Sequence, residues 1–155
     1  MKKEKRIGRD EFFMKNAQLC AELSVCKYFK VGVIFAKDKR NLAGGYNGPP
    51  SGEPHCIEVG CAKEDKNGKR LPAASGLCRG AHAEMNAMAN ANKAGVILEG
   101  STVYCTFSPC YDCAKVLVNL GIKGFVYLEE YSDEDKNLAK ELFKRHDISV
   151  RKMEI

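Results

Sequence analysis

The sequence contains no tryptophan, no long apolar run and no stretch in which basic residues alternate with aromatic ones. A helix that crosses a bilayer needs about 20 consecutive apolar residues, and no run approaches that length. The opening MKKEKRIGRD leads into the amphipathic EFFMKNAQLCAEL, not into an apolar segment of the secretory kind. Single-stranded nucleic acids bind basic grooves lined by aromatic rings. These absences predict a cytoplasmic protein without a membrane partner, and they disfavour nucleic acid as the partner.

The length of the chain indicates the number of domains, and its cysteine content bears on metal binding. The 155 residues, 45% of them hydrophobic, can bury one core but not two. We expect one domain over residues 1–155, in which residues 1–8 form a disordered basic tail. Eight cysteines rarely pair as disulfides in a reducing cytosol, so metal binding or thiol chemistry is the better account of them. The net charge of +5 suits an anionic partner, for which a phosphorylated small molecule suffices.

Hydrophobic spacing and turn residues predict alternating helices and strands. We expect helices over residues 9–25, 81–94, 111–120 and 133–145, the second and third ended by Gly95 and Gly121. We expect strands over residues 31–36, 41–46, 101–107, 123–131 and 148–152, the first two joined by the turn KDKR. The alternation from residue 81 onward predicts an α/β fold, a three-layer α-β-α sandwich. Residues 47–80 are rich in Gly, Pro and charge and fit no element, so something must hold them in place.

The segment SPCYDC, residues 108–113, carries a pair of thiols. Pro109 suits the start of a helix, and Cys110 and Cys113 would then project from the same face of its first turn. Helix N-termini favour thiolates, which makes both sulfurs good ligands for a cation. A redox CxxC pair and two buried structural cysteines are the alternatives for this motif alone.

The segment AHAEMNA, residues 81–87, supplies what a catalytic metal site would still need. A catalytic zinc has three protein ligands and an open fourth position, and His82 can be the third ligand. Residues two apart do not share a helix face, so His82 should lie at the helix entrance and leave Glu84 free to act on a metal-activated water. A histidine at a helix cap and a solvated carboxylate are the alternatives. Only three histidines occur in the chain, which favours the zinc interpretation.

The pattern H-A-E followed by P-C-x-x-C resembles the cytidine deaminase superfamily, the zinc-dependent nucleobase deaminases. The resemblance implies a cytidine deaminase-like fold with a central mixed five-stranded sheet. It also implies that His82, Cys110 and Cys113 hold the catalytic zinc. Glu84 would shuttle protons while activated water attacks the carbon that bears the amino group, and ammonia would be released.

The upstream half is similar to the deoxycytidylate (dCMP) deaminase family, including its bacterial late-competence branch. The similarity rests on KVGVIFAKDKRNLAGGYNGPPSG, PHCIEVGC and LCRGAHAEMNA, and it runs from about residue 10 to Tyr131. It implies that dCMP and water give dUMP and ammonia, which supplies the precursor of thymidylate. It also implies that Asn47 contacts the deoxyribose or phosphate, that Tyr131 lies by the substrate and that Ser108 contacts the base. An ordinary turn asparagine and a strand-end tyrosine are the alternatives.

The same family resemblance implies a second, structural zinc. Cys26, Cys56 and Cys78 resemble its cysteine positions, and Cys61 stands where relatives carry histidine or another ligand, with His55 and Cys20 as spares. A structural zinc can contribute on the order of 10 kcal/mol and would order residues 47–80. Scattered reduced cysteines are the alternative, and Cys20 and Cys105 are interpreted as core residues.

Regulated members of the family form hexamers, with dCTP as activator and dTTP as inhibitor bound at subunit contacts near GYNGPPSG. The resemblance therefore implies a homo-oligomer with nucleotide effectors. Two rival functions stay open on the sequence: a deaminase of another substrate, either a free nucleoside or a base within nucleic acid, and a noncatalytic zinc module. The last would leave Glu84 without a task.

Overall fold

The structure, a computed structural model, describes residues 5–72, 75–131 and 136–155. Residues 1–4 of the predicted tail and the predicted start of the last helix at Asp133 lie outside the described residues. The helices are α1 (Arg9–Glu22), α2 (Cys56–Val59), α3 (Ala83–Ala94), α4 (Tyr111–Leu120) and α5 (Lys136–Arg145). The strands are β1 (Gly32–Lys37), β2 (Arg40–Tyr46), β3 (Thr102–Phe107), β4 (Gly124–Glu129) and β5 (Ser149–Lys152).

The five strands form one mixed sheet in the order β2-β1-β3-β4-β5. Strand β1 pairs antiparallel with both β2 and β3, whereas β3, β4 and β5 are mutually parallel. Parallel neighbours need a crossover, and α4 and α5 supply the two that are required. In sheets of this kind, ligands bind beyond the carboxyl ends of the parallel strands. The ends of β3 and β4, near Phe107 and Glu129, are therefore where a site is expected.

Alternation along the strands divides the core into two layers. Val33 and Phe35 of β1 pack with α3, α4 and α5, whereas Ile34 and Ala36 pack with Phe13, Met14 and Ala17 of α1. Because successive side chains point to opposite faces, both faces of β1 are apolar and both are covered by helices. The predicted three-layer α-β-α fold with a central mixed five-stranded sheet is confirmed.

Most predicted boundaries hold, and the exceptions have local causes. Gly95 and Gly121 end α3 and α4 in the left-handed conformation, with φ of 66° and 79°, as predicted. The hairpin turn is tighter than KDKR, because Lys37 pairs with Arg40 and only Asp38 and Lys39 form the turn, both with positive φ. Helix α1 ends at Glu22, three residues earlier than predicted, where the next two N–H groups bond to carbonyls three residues back.

Residues 47–80 are tied down at their ends and, in the middle, by contacts of Glu64 and Arg70 with residues 27–29. Gly48 and Ala81 exchange backbone hydrogen bonds of 3.1 and 2.8 Å, so the insertion begins and ends at one place. Glu64 accepts hydrogen bonds from Lys27, at 2.8 Å, and from the hydroxyl of Tyr28. The closure at Gly48 and Ala81 sets Asn47 beside the start of α3.

Strand β2 lies directly on α3, and the close approach depends on Gly45. A Cβ at Gly45 would lie 2.5 Å from the backbone nitrogen of Ala87 and 2.7 Å from the carbonyl oxygen of Ala83. The amides of Asn86 and Asn90 donate to the carbonyls of Tyr46 and Gly44, at 2.8 and 3.0 Å. These contacts fix α3 against the sheet edge.

Replacing Gly45 by alanine should lower the free energy of unfolding by about 1–3 kcal/mol, because the new methyl group forces β2 away from α3. Thermal unfolding measures the change. Gly48→Ala is the matched control, since the nearest atom to its Cβ would be Val25 Cγ2 at 4.0 Å. Equal stability of the two variants would contradict the prediction.

Among the described helices, none has both the length and the apolar character to cross a membrane.

Candidate metal centre and active site

His82 lies at the N-terminus of α3, as its spacing from Glu84 predicted. It is the N-cap residue, with extended backbone angles of φ −68° and ψ 154°, and Ala83 is the first helical residue. Because His82 precedes the first helical residue, the rule that residues two apart on a helix face different ways does not apply to His82 and Glu84. His82 itself is exposed.

Cys110 lies at the N-terminus of α4 in the same capping position. Its Sγ accepts a hydrogen bond from the backbone N–H of Cys113 at 3.4 Å. The expected range of 111–120 for this helix is confirmed, since Tyr111 begins it and the extended Cys110 is its N-cap. Pro109 lies one residue before the cap, so Cys110 precedes the first turn in which the sequence interpretation set it. Two helix N-termini, those of α3 and α4, therefore meet at one site, and both favour negative charge there.

The three candidate ligands converge. His82 Nδ1 lies 3.3 Å from the Sγ of Cys110 and 3.3 Å from the Sγ of Cys113, and all three atoms lie within 4.8 Å of one another. Tetrahedral zinc, with bonds of about 2.0 Å to nitrogen and 2.3 Å to sulfur, sets these atoms about 3.5 Å apart. The donor set and its spacing fit zinc. Cys113 is buried and His82 is exposed, so the cluster faces solvent on one side only.

The protonation of the two thiols fits a site made for a cation. Hydrogen bonds from Cys113 and from His82 lower the pKa of Cys110 to about 4. The same hydrogen bond raises the pKa of Cys113, because this thiol keeps the proton that it shares with the neighbouring thiolate. A divalent cation removes the remaining proton and makes both sulfurs ligands.

Glu84 is buried against the thiols. Glu84 is 5% exposed, and burial raises the pKa of its carboxyl group, with smaller opposing effects from hydrogen bonds, first from its own backbone N–H and then from Cys113. A carboxyl group that is desolvated beside a metal site is suited to exchange protons near neutral pH. Its place in the first turn of α3, two residues from His82, brings it to the cluster without making it a ligand in the described geometry.

Ser108 and Tyr131 lie together at the carboxyl ends of β3 and β4. The backbone N–H of Tyr131 donates to the Oγ of Ser108 at 3.0 Å, and Ser108 is 1% exposed. The ring of Tyr131 stacks on Phe107 with centroids 4.9 Å apart. Phe29 packs edge-on against both rings at 5.8 Å. The sequence interpretation missed Phe29 and Phe107, because nothing local shows that a residue of the α1–β1 loop meets the ends of β3 and β4.

Asn47 lies at the entrance to the insertion, where its side chain is held on three sides. Its Oδ1 accepts from the N–H of Val31 at 2.9 Å and from the hydroxyl of Ser24 at 2.7 Å. Its Nδ2 donates to the carbonyl oxygen of Phe29 at 2.9 Å. Ser24 is 5% exposed and was also missed in the sequence, since serine after a helix end is commonplace.

The four cysteines predicted for a second metal are not brought to ligand distance. In residues 5–72, 75–131 and 136–155, the group formed by His82, Cys110 and Cys113 is the one set of three or more potential ligands within 4.8 Å. The predicted set is Cys26, Cys56, Cys61 and Cys78, and all four are free thiols.

Two of those cysteines nevertheless make contacts common to thiolate ligands. The Sγ of Cys26 accepts from the backbone N–H groups of Tyr28 and Phe29, both at 3.5 Å. The Sγ of Cys56 accepts from Arg79 at 3.5 Å. Both sulfurs therefore lie among hydrogen-bond donors.

The two spare ligands and the remaining cysteine have other surroundings. His55 caps α2, and its Nδ1 lies 3.9 Å from a carboxylate oxygen of Glu58. Cys20 packs beside the α1 layer of the core, and Cys105 is fully buried in β3.

The chain is similar to known proteins in both sequence and structure. The chain matches the family model of the cytidine and deoxycytidylate deaminase zinc-binding region over residues 7–129. ComE operon protein 2 of Bacillus subtilis is 36% identical over 150 residues, which are 97% of this chain and 74% of that protein. Deoxycytidylate deaminase of Saccharomyces cerevisiae is 33% identical over 147 residues, which are 94% of this chain but only 45% of the yeast protein.

A solved structure resembles the chain over almost its whole length. It is the crystal structure of dCMP deaminase from the cyanophage S-TIM5 in complex with dCMP and dUMP. The TM-score is 0.77 at 33% sequence identity, and the match covers 97% of this chain and 100% of that chain.

Proposed function

The chain belongs to the cytidine and deoxycytidylate deaminase family, and on that premise we propose that it hydrolyses dCMP to dUMP and ammonia. The observation that carries the proposal is the convergence of His82, Cys110 and Cys113 beside the buried carboxyl group of Glu84. The crystallised cyanophage relative that binds dCMP and dUMP supports the choice of substrate. The product would feed thymidylate synthesis.

In the proposed reaction, His82 Nδ1 and the thiolates of Cys110 and Cys113 hold the metal. When bound, zinc activates a water molecule and lowers its pKa toward about 7. Glu84 would take a proton from the attacking water and pass protons to the pyrimidine N3 and to the departing amino group. A bond from oxygen to C4 forms, the bond from C4 to the amino nitrogen breaks, and ammonia leaves. The burial of Glu84 keeps its proton within the site.

The substrate would lie at the carboxyl ends of β3 and β4. We assign the base to the space bordered by Tyr131 and Ser108, since aromatic rings there offer a face for stacking. We assign the deoxyribose or phosphate to Asn47, which lies where the insertion closes onto the start of α3. The net charge of +5 favours an anionic nucleotide over a neutral nucleoside.

Ammonia release from cytidine, deoxycytidine, CMP, dCMP, dCTP and a cytosine-containing oligonucleotide tests the proposal. We expect kcat/KM to be highest for dCMP. A higher kcat/KM for a nucleoside or for the oligonucleotide would assign the site to another deaminase class. No ammonia from any of the six would indicate a noncatalytic zinc module.

We further propose a structural zinc held by Cys26, Cys56, Cys61 and Cys78. Support comes from the family resemblance and from the N–H donors around Cys26 and Cys56, which would stabilise thiolates. Binding would draw the four sulfurs together and brace residues 47–80.

Elemental analysis of purified protein should give two zinc ions per chain. Cys56→Ala should lower the content to one without removing deaminase activity, because the catalytic ligands are untouched. Cys20→Ala, another half-buried free thiol, is the matched control and should keep both ions. One zinc in the unaltered protein would reject the structural site.

The family resemblance also leads us to propose a homo-oligomer, a hexamer regulated by dCTP and dTTP. In support, the insertion exposes three apolar side chains: those of Ile57, Val59 and Leu77 are 62%, 59% and 52% exposed. Surfaces of this kind are commonly covered by another subunit.

We also propose a cytoplasmic location, which the free thiols of all eight cysteines support.

A further inference from the structure

The orientation of the Asn47 side-chain amide is fixed by two backbone groups. An N–H can only donate and a carbonyl oxygen can only accept, so the atom 2.9 Å from Val31 N is the amide oxygen. By the same argument, the atom 2.9 Å from the carbonyl oxygen of Phe29 is the amide nitrogen. If the amide oxygen and nitrogen of Asn47 were exchanged, both hydrogen bonds would be lost, so the orientation of the amide is unambiguous.

Ser24 completes this arrangement. The hydroxyl of Ser24 lies 2.7 Å from Asn47 Oδ1 and 3.0 Å from the backbone carbonyl oxygen of Asn47, and the shorter contact makes Oδ1 the main acceptor of its proton. The same oxygen of Ser24 accepts the N–H of Cys26 at 3.3 Å. Ser24 is 5% exposed, so water cannot readily replace its hydroxyl. It comes just after α1 and lies 23 residues from Asn47 in the chain.

We propose that Ser24 is a positioning residue, whose buried hydroxyl holds the Asn47 amide so that a single N–H is presented to the substrate. This inference rests on the proposed function, because it takes Asn47 as a contact of dCMP.

The hydrogen bonds already made by the Asn47 amide determine which group it can still use to bind substrate. Both acceptor positions of Oδ1 are taken, by Val31 and Ser24, and one of the two protons on Nδ2 is taken by Phe29. One N–H is left among the bonds of the described residues. Asn47 can therefore recognise an acceptor, such as a deoxyribose or phosphate oxygen, and cannot recognise a donor. Loss of the Ser24 hydroxyl frees one lone pair of Oδ1 and leaves the amide held by its two backbone contacts alone, so its position is less tightly fixed.

Steady-state kinetics of Ser24→Ala tests the positioning role. We expect KM for dCMP to rise about five- to tenfold, the effect of one hydrogen bond, with kcat within about twofold of the unaltered protein. Ser24→Thr keeps the hydroxyl and should restore KM. Ser101→Ala is the control, because Ser101 is fully buried and its hydroxyl has no hydrogen-bond partner among the described residues. If Ser24 had a purely structural role, Ser24→Ala would lower the stability of the protein but would not raise KM selectively.

A double-mutant cycle and an activity-independent readout complete the test. In an Asn47→Ala background, Ser24→Ala should cause no further rise in KM, because both act through one amide. In amide NMR spectra without substrate, the Asn47 side-chain signals should show two distinct protons, and Ser24→Ala should shift and broaden them.

Two results are decisive and distinct. The positioning role is overturned if the Ser24→Ala variant is active with an unchanged KM for dCMP. It is also overturned if the NMR signals of the Asn47 side chain are the same with and without the substitution. Failure of the unaltered protein to deaminate dCMP overturns the proposed function, and the NMR result then decides the role of Ser24 alone.

Discussion

Replacing Glu84 by glutamine should lower kcat for dCMP by about 10²–10⁴-fold, with zinc content unchanged. The amide has nearly the shape of the carboxyl group but cannot take a proton from water or deliver one to the amino group. The loss should appear in kcat more than in KM, since the carboxyl group acts on the reacting atoms. Ammonia release and elemental analysis on the same preparation measure both quantities.

The control for this substitution is Glu22→Gln, which makes the same chemical change at an exposed position in α1. It should leave kcat within about twofold, the effect expected of a surface change far from the site. Full activity of Glu84→Gln would show that another group transfers the protons, and loss of zinc from this variant would show that Glu84 is a ligand.

Replacing Cys110 by alanine should remove the catalytic zinc and reduce kcat/KM for dCMP by at least about 10³-fold. His82 and Cys113 alone leave two ligands, and a stable site of this type needs three from the protein. The zinc content should fall by one ion per chain. The loss of the N-cap sulfur also removes the hydrogen bond to the N–H of Cys113, so the start of α4 should loosen.

Cys20→Ala serves as the control here as well, because Cys20 is a half-buried thiol outside the cluster. Its zinc content and activity should match those of the unaltered protein. Retention of both zinc and activity by Cys110→Ala would contradict the ligand assignment. Retention of zinc with loss of activity would place Cys110 in the reaction but not in the metal site.

The sequence predicts best what local chemistry decides. Gly95 and Gly121 end their helices because a left-handed residue is needed there, and both positions are recognisable from the pattern alone. The entrance position of His82 follows from its distance of two residues from Glu84. The helical layers on both sides of the sheet follow from consecutive apolar residues, such as Val33 and Ile34, whose side chains point to opposite faces.

Long-range contacts that set the finer geometry have no local signal. Ser24 bonds to Asn47 only because α1 ends early and β2 returns beside it. Phe29 reaches Tyr131 for a similar reason, across the loop that follows α1. Cys110 was expected in the first turn of α4, whereas the chain is still extended there and Cys110 is the N-cap.

Residues 47–80 mark the other limit of sequence reasoning. Composition indicates an irregular segment, and the mutual hydrogen bonds of Gly48 and Ala81 at its ends could not be read from it. Whether Cys26, Cys56, Cys61 and Cys78 meet depends on distances across a long loop, and loop entropy changes too slowly with length to decide it from the sequence.

Anomalous diffraction at the zinc absorption edge, on crystals of the purified protein, tests the central claim most directly. The account predicts a peak about 2.0 Å from His82 Nδ1 and about 2.3 Å from the Sγ atoms of Cys110 and Cys113, with no protein atom in the fourth position. A peak with a fourth protein ligand, or no peak between these three side chains, would contradict it.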